Sequence, residues 1–316
     1  MQDKSARNVY NTDAEAYLED RIETEAKNIF PQNVVIETTG FCNLNCIMCS
    51  NDKLTRKKTS MRWPLYIKLI EELAIKARKE TRVWLCYAGE PLIKGEDFVD
   101  RVCFAKSRGI EYLVTNSNMC LMTKEMSEEV VKAGLNNIFV GLDATTADVY
   151  SQIRRGGDYN KAVQNTIDYK EALVRYGKPD QDIIVQFIDM PQNHHQRDDF
   201  VEFWERYDIK VKVRPLITWQ GSCDFDIKSN FDIKDRLACF WIMNVLPVTA
   251  DGYAPWCGCD YDCKGPCGDL NKSSLEEVWK TTKKEHRLIH LAGKWEKLPE
   301  FCRNCRDWLG GYAMYM

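Results

Sequence analysis

No apolar run in the chain approaches the ~20 residues that cross a bilayer as a helix, so no membrane partner is expected. The N-terminus, MQDKSARNVYNTDAEAYLED, is polar and acidic, which excludes a secretory signal peptide. Neither sign of charge is in real excess. Lys and Arg number 44 against 47 Asp and Glu, a formal net charge of −3, and that provides no field to hold nucleic acid or an anionic lipid surface. Low-complexity tracts are missing, and nothing repeats beyond a strand–helix rhythm. With 44% hydrophobic and 29% charged residues the composition is that of an ordinary globular protein. A cytoplasmic location is expected. The 316 residues suffice for one large domain, or one domain with an appendage.

What the chain has in abundance is cysteine, 14 in all. Secretion with disulfides would account for them, but there is no export signal and the chain is far larger than a disulfide-stapled domain. Clustered thiols in a reducing compartment more often mean metal.

Short runs rich in Val and Ile occur at 33–39, 82–87, 111–115, 137–142, 182–188 and 210–214. Nearly continuous apolar character is that of strands buried on both faces. Amphipathic helical stretches lie between them, at 63–80, 95–109 and 160–177 among others. Six strand–helix units without hairpin turns predict an α/β fold with a parallel sheet, as a partial (β/α)6 TIM-type barrel or an open doubly wound sheet. Residues 1–31 read as a helical lead-in and 32–220 as the barrel. Residues 221–316 read as a small metal-stapled module, with one short helix over 273–293 and a terminal cysteine pair.

Cys42, Cys46 and Cys49 stand directly after the first predicted strand, in TTGFCNLNCIMCS. Three thiolates in C-x3-C-x2-C spacing can hold three corners of a four-iron cube and leave one iron open. Structural zinc wants four ligands, and electron-transfer ferredoxins supply four thiolates. Three at the C-terminal end of a strand, where barrel active sites lie, reserve an iron for chemistry.

This triplet resembles the signature of the radical S-adenosylmethionine (SAM) superfamily. The resemblance implies a [4Fe–4S] cluster whose open iron chelates SAM, and a flavodoxin or ferredoxin as reducing partner. It also assigns SAM contacts. Gly89 and Glu90 in YAGEP resemble the G-G-E-P motif, with Ala88 for its first glycine. Asn116 and Ser117 resemble T-N-G, with Ser117 for glycine. Gly141 and Asp143 stand where the family has S-x-D, and Arg154 in YSQIRRGG matches Y-x-x-I-R-G. Leu216 ends the sixth strand, where a backbone edge holds adenine.

Cys239, Cys257, Cys302 and Cys305 follow as C-x17-C-x44-C-x2-C, with Gly252 in G-x4-C spacing before Cys257. These resemble the ligands of SPASM and twitch extensions, implying an auxiliary [4Fe–4S] cluster; zinc is the alternative for four thiolates. The layout is similar to aminocyclitol (2-deoxy-scyllo-inosamine) dehydrogenases and aminoglycoside radical epimerases of antibiotic biosynthesis. Cys259 and Cys263 are candidate thiol hydrogen donors for epimerisation. Cys267 is a further spare thiol, and Cys86, Cys103, Cys120 and Cys223 read as core or incidental residues. His194 and His195 read as a solvated loop pair.

A dehydrogenase is the leading expectation, with an epimerase second. The lead-in is too short for the leader-binding domain of peptide-modifying relatives. That points to a small polar substrate such as a sugar, aminocyclitol or nucleoside, and Asp143, Arg155, Asp189 and Arg214 are candidates to hold it.

Overall fold

The computed structural model describes residues 25, 30–223, 225 and 236–309. The expected lead-in over 1–31 lies almost wholly outside the described residues.

The chain enters on strand β1 (Asn33–Ile36). Val34 and Ile36 are fully buried and Val35 nearly so, as a strand covered on both faces requires. The cysteine loop follows, with a two-residue strand β2 (Asn45–Cys46). Helix α1 (Trp63–Lys76) starts with Pro at its first turn and buries Leu65, Leu69 and Leu73 along one stripe. Next come β3 (Arg82–Trp84) and α2 (Glu96–Ser107), then β4 (Tyr112–Ser117) and α3 (Lys124–Ala133). The Thr123 hydroxyl caps α3 by accepting from the Met126 N–H at 3.1 Å, and Gly134 ends it at a φ of +95°. The run continues through β5 (Asn137–Gly141), α4 (Ala147–Ile153), β6 (Arg154–Arg155) and α5 (Tyr159–Tyr176). It then passes through β7 (Asp182–Asp189), α6 (Arg197–Glu205) and β8 (Lys210–Pro215).

The six expected strands are β1, β3, β4, β5, β7 and β8, paired in parallel in that order. A seventh was not expected. After a short helix α7 (Phe240–Asn244), strand β9 (Val245–Val248) pairs in parallel with β1 on its open side, Asn33 facing Val245 and Ile36 facing Val248. The sheet order is therefore β8-β7-β5-β4-β3-β1-β9, and a strand from beyond residue 220 completes it.

The rest of the C-terminal region has little regular structure: an antiparallel pair β10 (Tyr253–Ala254) and β11 (Gly268–Asp269), then helices α8 (Leu275–Lys280), α9 (Thr282–Leu291) and α10 (Glu300–Arg303). Where one helix was expected over 273–293 there are two, because the backbone breaks at Thr281 (φ −107°, ψ −100°). This region docks on α1. The Glu72 carboxylate accepts from the N–H groups of Leu275 and Glu276, both at 2.8 Å, capping α8 from outside. The Lys68 ammonium donates to the carbonyls of Leu270 and Ser273.

Most of the core lies between the sheet and its helices. A second apolar cluster fills the other face, where Val35, Trp84 and Val114 meet Trp219, Trp241 and Cys257. Among the described residues no helix is long and apolar enough to cross a membrane.

Candidate active site

Cys42, Cys46 and Cys49 line one cavity of about 170 Å³ at the C-terminal ends of the strands. Their loop is fastened at both ends. Cys46 pairs with Arg154 in the β2–β6 ladder, and the Ile47 N–H donates to the Ile153 carbonyl at 2.9 Å. The Asn51 side chain donates to the carbonyls of Gly40 (3.0 Å) and Ala88 (2.7 Å), locking the loop against YAGEP. Backbone N–H groups of Leu44 and Asn51 point at the sulfurs of Cys42 and Cys49. Burial pushes the Cys42 thiol up to about 11 and Cys49 to about 12. In that setting a bound cation, not solvent, is what would strip the protons. Three soft donors gathered at one cavity fit an iron–sulfur cluster with an open site.

Gly89 has a specific reason to be glycine. A Cβ there would sit 2.2 Å from the Thr39 carbonyl oxygen and 2.6 Å from that of Phe41. Its bareness lets the turn lie directly on the cysteine loop. Glu90 beside it is 3% exposed. One oxygen accepts from the Leu92 N–H (3.1 Å) and the Ser117 hydroxyl (3.0 Å), the other from the Asn118 N–H (2.8 Å). Burial outweighs these bonds and pushes its carboxyl up to about 7. Asn116 and Ser117 line the same cavity.

Gly141 and Arg154 also line it, but Asp143 does not. Asp143 is fully buried behind Arg154, accepting from its Nε at 2.8 Å and from the Ile188 N–H at 2.6 Å. A Cβ on Gly141 would meet the Arg154 guanidinium at 2.2 Å, so the bare strand is the bed on which Arg154 lies. Leu216 is half-buried beside Met48, Ile153 and Met190 and is not part of the cavity wall. Of the four candidate substrate residues only Arg214 reaches the cavity. Its guanidinium donates to Gln186 Oε1 at 2.7 Å, and both are buried. Arg155 is exposed, and Asp189 pairs outside with His194 at 2.7 Å.

Several cavity residues were not foreseen. Cys86 lines the cavity, its thiol donating to the Gly89 carbonyl at 3.3 Å. Strand alternation from the inward-facing Trp84 through Leu85 is the signal that places it there. Tyr87, Trp219 and Tyr261 form an aromatic wall. Tyr261 lies edge-on to Tyr87 (4.4 Å between centroids) and stacks on Trp219 (4.5 Å). No spacing marked these, since they come from three distant segments.

The second thiol group lies behind that wall. Cys239, Cys257 and Cys302 are buried and Cys305 half-buried. Burial chiefly, and then neighbouring Cys257 and Cys302, raise the Cys239 thiol; burial, then the Asp307 carboxylate, then Cys239 and Cys257 raise Cys305. The Cys239 N–H donates to His290 Nδ1 (3.4 Å), leaving the proton of the neutral ring on Nε2, which faces Cys302 Sγ at 3.6 Å. Burial lowers the pKa of His290 to about 3, which keeps the ring neutral. Neither Cys259 nor Cys263 lines the cavity. Cys259 is buried against Cys257, and Cys263 sits in a turn at a φ of +53°. Among the described residues no three Cys, His, Asp or Glu side chains close on one point as ligands of a single metal ion.

Residues 36–203 match the radical SAM superfamily, and residues 239–306 match SPASM, an iron–sulfur cluster-binding domain. A GTP 3′,8-cyclase of Clostridium botulinum is 28% identical over 189 residues, 58% of this chain and 55% of the relative. The chain thus spans just over half the length of that relative. Many solved structures share the fold, two of which serve as examples. One is BtrN in complex with AdoMet and 2-DOIA (TM-score 0.58, 16% identity, 88% of this chain and 93% of that one). The other is Streptococcus suis SuiB bound to precursor peptide SuiA (0.66, 14%, 92% and 73%). The superfamily match covers more than half of the 316 residues: the chain belongs to the radical SAM superfamily, with SAM and [4Fe–4S] clusters as its cofactors.

Proposed function

We propose that this protein oxidises a small polar substrate, a sugar, aminocyclitol or nucleoside, by hydrogen-atom abstraction followed by loss of a proton and an electron. Cys42, Cys46 and Cys49 would hold the SAM-binding cluster, and Cys239, Cys257, Cys302 and Cys305 an auxiliary one. When bound, cluster and SAM supply a carbon-centred radical strong enough to take hydrogen from an unactivated carbon.

The residues of the chain do the rest. Glu90 lines the cavity and, as carboxylate, suits the SAM ammonium. Arg154, held by Asp143, offers a guanidinium to its carboxylate. Gln186 and Arg214 present hydrogen-bonding groups from the opposite side of the cavity. Tyr87, Trp219 and Tyr261 exclude water from the wall between them.

The observation that carries the oxidation is the position of this wall. Tyr87 lines the cavity, and its hydroxyl donates to the carbonyl of Cys257 at 3.2 Å. An electron leaving the substrate therefore has a second thiol group immediately behind the surface it touches. Cys259 packs with that group rather than facing the cavity, which favours oxidation over re-donation of hydrogen from this thiol. Similarity to a GTP 3′,8-cyclase, and the fold shared with BtrN in complex with 2-DOIA, support a nucleoside or aminocyclitol as the substrate class.

The test is turnover of anaerobically reconstituted, reduced protein with a panel of aminocyclitols, sugars and nucleosides in deuterated buffer. A carbonyl product lighter by two hydrogens, formed with 5′-deoxyadenosine, is the expected result. Product of unchanged mass apart from deuterium at carbon overturns oxidation and makes the enzyme an epimerase.

A further inference from the structure

Trp219, Gln220 and Gly221 have φ values of +52°, +58° and +78°. This backbone suits glycine but is unfavourable for tryptophan and glutamine, and it persists only where the surroundings over-determine it. Here a single carboxylate does so. Asp307 is 2% exposed; its Oδ1 accepts from the Thr218 N–H (2.7 Å) and the Thr218 hydroxyl (3.1 Å). Its Oδ2 accepts from the Gln220 N–H at 2.8 Å. The Thr218 hydroxyl also receives the Gly221 N–H at 3.0 Å, closing the turn.

The strained turn sends two adjacent side chains to two different places. The Trp219 indole N–H donates to the Met48 carbonyl at 2.8 Å, between Cys46 and Cys49, while its ring lines the SAM cavity. The Gln220 amide donates to Cys257 Sγ at 3.1 Å. Asp307 is itself tied to the second thiol group, since its N–H donates to Cys305 Sγ at 3.3 Å.

We propose that the Thr218–Gly221 turn couples the auxiliary iron–sulfur site to the wall of the SAM cavity, with Asp307 and Gln220 as its positioning residues. This rests on the reading of Cys239, Cys257, Cys302 and Cys305 as cluster ligands. An N–H donated to a ligand sulfur draws off negative charge and favours the reduced form of a cluster held there. Asp307 keeps that donor in place and seats Trp219 in the cavity wall through the same turn. Cys305 in turn sets the position of Asp307. The cavity wall is therefore assembled in step with the auxiliary site.

The experiment compares wild type, Gln220→Leu and Asp307→Asn as reconstituted holoenzyme. It combines an EPR-monitored redox titration of both clusters with hydrogen exchange over residues 216–223. Gln220→Leu is expected to move the auxiliary midpoint to more negative potential and leave the SAM-binding cluster where it was. Asp307→Asn also removes a negative charge beside Cys305, so it is read by exchange alone: the Thr218 and Gln220 amides are expected to exchange about tenfold faster, the effect of one lost hydrogen bond. Both clusters present with an unmoved auxiliary midpoint in Gln220→Leu overturns the proposal, even if Asp307→Asn fails to fold. Unchanged exchange of these amides in Asp307→Asn, with both clusters present, also overturns it, because Asp307 then does not hold the turn. Wild type with one cluster only overturns the ligand reading instead.

Discussion

Replacing Asp143 with asparagine removes one charge and almost no volume. Asn tolerates the φ of +60° at this position as well as Asp does, so the backbone carries no new strain. The carboxylate accepts from the Ile188 N–H at 2.6 Å on one oxygen and from Arg154 Nε at 2.8 Å on the other. An amide can accept on one side only, so its NH2 must face a donor. Arg154, with its side chain 13% exposed, is left charged and without its partner. Breaking a buried pair from one side costs about 3–5 kcal/mol. The opening of Arg154 to the cavity admits some water and sets the expectation at about 3 kcal/mol. With an unfolding entropy of about 0.7 kcal/mol per kelvin for a chain of this length, Tm falls by about 4–5 °C. SAM affinity falls with it, because the guanidinium is no longer held over Gly141. The assay is thermal unfolding of anaerobic reconstituted protein, with equilibrium dialysis for SAM. The Asp143→Asn/Arg154→Met double variant removes the stranded charge. It should be more stable than the two single losses imply, by at least about 1 kcal/mol. Additivity within about 0.5 kcal/mol would refute the pair as the element that holds Arg154.

Gly89→Ala puts a methyl group into the Thr39 and Phe41 carbonyls; a cost of about 1–3 kcal/mol and loss of iron from the SAM-binding cluster are expected, read by iron and sulfide assay. Because burial holds Glu90 at about 7, it is protonated below that pH and can face the SAM ammonium as a carboxylate only above it. SAM affinity should rise about tenfold per pH unit from about 5 to 7 and then level off; a flat profile in wild type, or a slope that survives in Glu90→Gln, contradicts the assignment. Lys283 is fully buried and donates to the carbonyls of Pro255 (2.7 Å) and Trp256 (2.5 Å), just before Cys257. Lys283→Met should cost about 3 kcal/mol and lower auxiliary iron while the SAM-binding cluster stays loaded, as EPR of the two clusters would show.

What was legible in the sequence was local. Cys42, Cys46 and Cys49 are seven residues apart at most and follow an apolar run, so spacing and strand pattern place them together without any tertiary knowledge. Glu90, Asn116 and Gly141 were picked out by short motifs at the ends of predicted strands that resemble the family's, and all three line the cavity. Asp143 was assigned as a direct contact on that logic and instead stands one layer back, because its side chain turns toward Arg154 and the Ile188 N–H. Sequence order places a residue at a strand end, but the backbone rotation at that end decides which way it faces. The wall of Tyr87, Trp219 and Tyr261 was illegible for a different reason. Aromatics at unrelated positions carry no period, and their meeting depends on how the C-terminal segment returns to the sheet.

That return also explains why composition misplaced the edge of the main sheet. The run VLPV is four residues long and contains proline, which reads as a poor strand. As the edge strand beyond β1, β9 can carry proline because one of its sides has no ladder to serve. The pairing is then reinforced at its end, where the Glu37 N–H donates to the Val248 carbonyl (2.9 Å) and the Glu37 carboxylate accepts from the Ala250 N–H (2.8 Å). Glu37 also binds the Arg56 guanidinium at 2.6 Å, and Arg56 donates to the Tyr261 carbonyl. Cys239 precedes β9 by one short helix, and Cys257 follows it by a turn and the first strand of the β10–β11 pair. Two of the thiols proposed to hold the auxiliary cluster are thus carried on either side of a strand hydrogen-bonded to the one that leads into Cys42. The bearing between the two cysteine groups is set by a β-ladder rather than a linker, and a ladder is what keeps a shared wall between them in register.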